Sequence, residues 1–219
     1  MSQLEKIDIK AYRDEMTEFP SLRNPADRHK KILRWLTRLS TDLGCPPPVL
    51  VGCGAVEVYT DAQTATGDVD IIAPDLGKLW SALLELGFQR SSDQRFSFHQ
   101  SYSLLFEFPS DKLREGEETV SIDIDGVECK VISPEDLVID RLEMFEATNS
   151  GTDLVYAYMI YHGLHDKLNH KKIVDRVKKS DLKNIFKFIH SLHIKAKDEG
   201  ISIDEQGSEI SEHIRRKMS

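Results

Sequence analysis

Apolar residues Ile32, Leu33, Leu36, Leu39 and Leu43 recur at three- and four-residue steps, which predicts an amphipathic helix over 26–43. Pro25 suits its first turn, and Gly44 followed by three prolines stops it. The period then shortens. "VLVG" (49–52) reads as a buried strand, residues 55–59 leave room for only a short helix, and "DVDIIA" from Asp68 is a second strand. "LGKLWSALLELGF" predicts a helix ending at Gly87, with Trp80, Leu83 and Leu84 on one face. "RFSFHQSYSLLFEF" alternates enough for one or two strands. "TVSIDIDGVECKVI" predicts a hairpin turning at Asp125 and Gly126. In "SPEDLVIDRLEMFEA", Ser133 as N-cap, Pro134 at N1 and Asp136 at N3 mark a helix start.

From Asp153 onward the pattern is helical, in pieces over 152–164, 167–178 and 181–196. The segmentation is an N-terminal arm (1–25, a loose segment or short helix), an α/β domain (26–147), a helical region (148–197) and a charged tail (198–219), a candidate for disorder. The expected class is α+β, a mixed sheet flanked by helices with a helical C-terminal region. No internal repeat or low-complexity tract interrupts it.

Composition narrows the setting. A chain of 219 residues with 40% hydrophobic and 30% charged residues suits one globular domain or two small ones. The polar start "MSQLEKIDIK" lacks the pattern of a signal peptide, and no apolar run approaches the ~18 residues that span a membrane. Cys45, Cys53 and Cys129 are odd in number and irregularly spaced, as for reduced thiols. The expectation is a cytoplasmic protein with no membrane partner. Net charge is −8, but residues 166–197 hold ten Lys or Arg against three Asp, an excess of +7 that leaves about −15 elsewhere. Such a segment reads as a solvated face or as a contact for phosphates or an acidic partner.

Candidate chemistry concentrates in "VGCGAVEVYTDAQTATGDVDII" (51–72). "GCGAVE" falls one residue short of the dinucleotide fingerprint G-x-G-x-x-G: Glu57 stands where the third glycine permits close helix packing. Asp68 and Asp70 also stand at the start of their strand, whereas a ribose-binding acid belongs at the far end. In a strand, residues i and i+2 share a face about 7 Å apart. Val69 and Ile71 point the other way, so the carboxylates repel on a common face unless a cation such as Mg²⁺ joins them.

The combination Val51-Gly52-Cys53, fourteen residues, then Asp68-Val69-Asp70-Ile71 resembles the signature of the DNA-polymerase-β-like nucleotidyltransferases. "VGCGAVEVY…TGDVDII" is similar to small prokaryotic members, several of which occur in toxin–antitoxin pairs. "VISPEDLVIDRL" resembles the segment that leaves their sheet, so the likeness spans roughly 49–160. It implies a nucleotidyltransferase-like sheet and transfer of a nucleoside monophosphate from an NTP to a hydroxyl on an RNA end, a protein or a small molecule such as an aminoglycoside. Asp68 and Asp70 would hold Mg²⁺ or Mn²⁺, and Gly52 and Cys53 would approach the triphosphate at the N-terminal end of a short helix. A third carboxylate is implied, first Glu107 in "SLLFEFP", then Asp123, which with Asp125 more readily shapes the hairpin turn; the remaining reading is that no third acid functions.

Thr66 would orient a carboxylate or a phosphate, or simply serve the turn. Arg141 and Asp153 stand near the family's triphosphate-directed positions, or form an ion pair between two helices. Cys53 departs from the usual Gly or Ser. The alternative is a non-catalytic, regulatory protein of this type acting as a toxin or antitoxin partner. The pairs His162/His165 and His190/His193 lack a completing ligand and read as surface histidines of amphipathic helices. Arg23 and His29 match a spacing seen in helical ribonuclease toxins, but Pro25 lies between them.

Overall fold

The computed structural model describes residues 7–61, 67–93 and 95–218. They fall into two compact units, 1–133 and 134–219.

In the first unit the predicted long helix is α2 (Pro25–Asp42), preceded by α1 (Ile9–Met16). Asn24 caps α2 by accepting the Asp27 N–H at 3.2 Å, and Pro25 occupies its first turn. Of the two readings of the N-terminal segment, a loose arm or a short helix, the structure has the helix α1, and its apolar residues join the core. Tyr12 and Met16 of α1 and the following Phe19 are buried, and both Tyr12 and Phe19 meet the Trp35 ring edge-on. Trp35 Nε1 donates to the Tyr12 carbonyl at 3.0 Å. An indole with one polar atom gives an otherwise polar segment its anchor.

The strands are β1 (Val49–Leu50), β2 (Val69–Ile72), β3 (Gln89–Arg90), β4 (Phe96–His99), β5 (Leu104–Glu107), β6 (Thr119–Ile124) and β7 (Val127–Ile132). They form one mixed sheet of seven strands, ordered β3-β4-β5-β2-β1-β7-β6. The central strand β2 pairs antiparallel with β1 and parallel with β5, and β1 pairs parallel with β7. The hairpin β6–β7 turns where the sequence predicts, with Asp125 at φ +49° and Gly126 at φ +79°, the type I′ signature. Two helices lie between strands. The first, α3 (Gly52–Thr60), is longer than expected because it begins within the glycine turn. The second, α4 (Leu76–Glu85), buries Leu79, Trp80 and Leu83, whereas Leu84, assigned to the same face, is 54% exposed.

The second unit contains α5 (Pro134–Thr148), α6 (Gly151–Gly163), α7 (His170–Lys179), α8 (Lys183–Asp198) and α9 (Ile203–Met218). The unit boundary lies at Ser133, before α5. Within this unit α5 buries Leu137, Val138, Ile139, Leu142 and Phe145, and α6 packs along it with Leu154, Ala157 and Ile160 also buried. The charged tail is likewise helical: Ile210 is buried, and Lys195–Glu209 and Lys217–Glu146 pairs tie α9 to α8 and α5. Among the described residues, no helix is long and apolar enough to cross a membrane. The three cysteines are free thiols.

Candidate metal centre

Three carboxylates converge where β2 meets β5. Asp70 stands directly across from Glu107 in the parallel register, and Asp68 precedes β2 on the same side. Oxygens of Asp68, Asp70 and Glu107 all lie within 4.8 Å of one another. Among the described residues this is the one group of three or more His, Cys, Asp or Glu side chains so arranged. Val69 and Ile71 are buried on the opposite side and fix which way the aspartates face. All three acids are half-buried, and an all-oxygen donor set of this charge fits a hard divalent cation.

Each acid has its own support. Gly52 opens α3 at φ +58°, a conformation that favours glycine, and a Cβ there would stand 1.9 Å from Asp70 Oδ2. That close approach lets the Cys53 N–H donate to Asp70 Oδ2 at 3.3 Å. The Asp70 carboxylate thus sits at the positive end of α3, in the place the sequence reading reserves for a phosphate. Glu107 is paired with Arg95, whose Nε donates to Oε1 at 2.6 Å and whose Nη2 contacts the same oxygen.

Behind Asp68 lies a buried histidine–glutamate pair. His29 Nδ1 donates to the Pro25 carbonyl at 2.9 Å and Nε2 to the Asp68 carbonyl at 3.3 Å. Carbonyl oxygens only accept, so each of these hydrogen bonds needs a proton on its ring nitrogen. Beside the ring lies Glu57, fully buried, with Oε2 2.7 Å from Nδ1. Burial works to lower the His29 pKa, but the Glu57 carboxylate and then the two carbonyls outweigh it, and the net shift is upward from 6.5.

The other sequence candidates lie elsewhere. Thr66 is outside the described residues. Asp123 is on β6, at the edge of the sheet three strands from β2, and accepts the Gly126 N–H at 3.1 Å, so it shapes the hairpin. Arg141 is in the second unit, where Nη1 donates to Asp153 at 2.9 Å and Nη2 to Asp140 at 2.5 Å. That is the ion pair between helices weighed for it, here joining α5 to α6.

Of the two histidine pairs expected at the surface, His190 is exposed and His162 and His165 are half-buried, but His193 is not a surface residue. His193 is 6% exposed, stacks on His165 at 3.9 Å, and has Nδ1 3.1 Å from Nδ1 of His162. Tyr161, buried among them, shares a 2.7 Å hydrogen bond with His190 Nδ1. Burial first, then neighbouring His165, His162, Lys197 and His190, push His193 down to about 4.

Sequence reasoning missed Arg95, His29 and Glu57 as parts of the site. For His29 a signal existed: it falls one helical step from Ala26, Ile32 and Leu33, on the apolar face of α2. Nothing local marks Arg95, whose partner is set by the β4–β5 register. No protein-family model, curated protein or solved structure matched the chain.

Proposed function

We propose that the protein is a nucleotidyltransferase of the DNA-polymerase-β-like type, moving a nucleoside monophosphate from an NTP to an acceptor hydroxyl. The observation that carries this reading is the meeting of Asp68, Asp70 and Glu107, with oxygens within 4.8 Å of one another, beside the glycine turn at the head of α3. The three carboxylates would hold Mg²⁺ or Mn²⁺. When bound, the metal supplies charge neutralisation for a triphosphate and acidifies an acceptor hydroxyl.

The chain's own residues do the rest. Gly52 keeps the backbone within reach of Asp70, and the Cys53 N–H orients that carboxylate. Arg95 shields Glu107 and, once released, is a cation for phosphate oxygens. Exposed Lys171, Lys178, Lys179, Lys183 and Lys187 on α7 and α8 favour a polyanionic acceptor such as RNA over a small molecule. They leave a protein hydroxyl as the competing acceptor.

A second reading is a regulatory, non-catalytic protein of the same type, partner to a toxin or antitoxin. It draws on the Arg95–Glu107 and Cys53–Asp70 contacts, which give two of the acids partners from the chain itself. Purified protein incubated with Mg²⁺ or Mn²⁺, each labelled NTP, and RNA, lysate protein or itself as acceptor separates the two. Transfer that disappears in Asp68→Ala and Asp70→Ala supports the enzyme. Metal-dependent NTP binding without transfer to any acceptor supports the regulatory reading, and absence of both overturns the metal centre.

A further inference from the structure

Asp68 lies one residue ahead of the first register pair of β2, Val69 with Phe106, so its position depends on contacts outside the sheet. One such contact is to His29, through Nε2 and the Asp68 carbonyl. The ring is held from the other side by the Pro25 carbonyl and by Glu57. Three elements meet there: His29 comes from α2, Glu57 from α3, and Asp68 leads into β2. Room for the ring depends on Gly54, where a Cβ would stand 2.7 Å from His29 Cδ2.

We infer that His29, held by Glu57, is a positioning residue that fixes Asp68 at the candidate metal centre. The inference rests on the metal-site reading above. Its physical content is that α3 arranges both aspartates: Cys53 holds the Asp70 carboxylate directly, and Glu57 steadies the His29 ring that meets the Asp68 backbone. A buried ring in contact with polar groups at both nitrogens has one orientation that satisfies them, so the carbonyl it meets is fixed along with it. Partners of this kind, one step removed from a metal, commonly govern its affinity.

The test separates the two ring nitrogens. In His29→Gln the side-chain amide extends toward the Nε2 position, and in His29→Asn it stops near the Nδ1 position. Each is combined with Glu57→Gln, so that no buried carboxylate is left without its histidine partner. Mn²⁺ binding is titrated by electron paramagnetic resonance of the free ion, alongside thermal unfolding. The Gln double variant is expected to bind Mn²⁺ close to wild type. The Asn double variant is expected to bind roughly tenfold or more weakly, with an unfolding midpoint matching that of the Gln protein. Should either double variant fail to fold, Gly54→Ala, which presses on the ring while leaving every carboxylate intact, is expected to weaken Mn²⁺ binding by itself. Equal affinity in the two folded double variants, or wild-type affinity in Gly54→Ala, overturns the positioning role alone. A folded wild-type protein that binds no Mn²⁺ overturns the metal-site reading, and the inference with it.

Discussion

Gly52 meets two demands at once: a positive φ that glycine accommodates, and a Cβ position already filled by the Asp70 carboxylate. Replacing it with alanine should cost about 1–3 kcal/mol from backbone strain alone, with the displaced carboxylate adding to the loss. Denaturant unfolding of Gly52→Ala against wild type measures it, and Mn²⁺ affinity should fall in the same variant. At this scale the sequence is legible where chemistry and period coincide. Asp68 and Asp70 share a face because strand side chains alternate, and buried Val69 and Ile71 decide which face it is. Glu107 stands across from Asp70 through strand order, a non-local fact, and only resemblance to a family pointed to it. Arg95 was illegible for the same reason, whereas His29 was readable from its place on the apolar stripe of α2.

Among elements, α5 and α7 are joined by a buried acid. Asp136 is fully buried, accepting from Lys172 Nζ at 2.6 Å and Arg176 Nη1 at 3.2 Å. Two cations of the basic segment are therefore committed to holding helices together, and its exposed lysines carry the surface charge. Asp136→Asn keeps the shape but removes the charge, and should destabilise the helical unit by about 1–3 kcal/mol. Far-UV circular dichroism in a denaturant titration reads the change. Elements with their own start and stop signals, such as α2 and the β6–β7 hairpin, were legible in outline. The first and last helices were legible only beside the alternatives of a loose arm and a disordered tail, because α1 and α9 have short apolar patterns in polar sequence. Their order comes from partners distant in the chain, Trp35 for α1 and the Lys195 and Lys217 pairs for α9.

Taken as a whole, the molecule is two units, and the helical one carries histidines that make it sensitive to acid. In the helical unit His193 is held near 4, below its ordinary 6.5. Above 6.5 it is neutral folded or unfolded. As pH falls toward 4 the unfolded chain takes up a proton that the folded one refuses, so stability declines, and the loss levels off below about 4. His162 and His190 are lowered as well and act with the same sign. Hydrogen exchange corrected for intrinsic rates should show less protection across 134–219 at pH 5 than at pH 7. His193→Gln should reduce that difference. The division at Ser133 was not legible, because α5 carries an apolar pattern equally suited to covering a sheet or another helix. The strand order has a consequence in time. Hairpins β4–β5 and β6–β7 close short loops, whereas joining Val49 to Lys130 and Asp70 to Glu107 closes long ones, at greater entropic cost. The three carboxylates therefore meet only when distant parts of the chain have found each other. A nascent chain that has not yet produced β5 has no complete site, and a cation held by all three acids reports a sheet assembled across its centre.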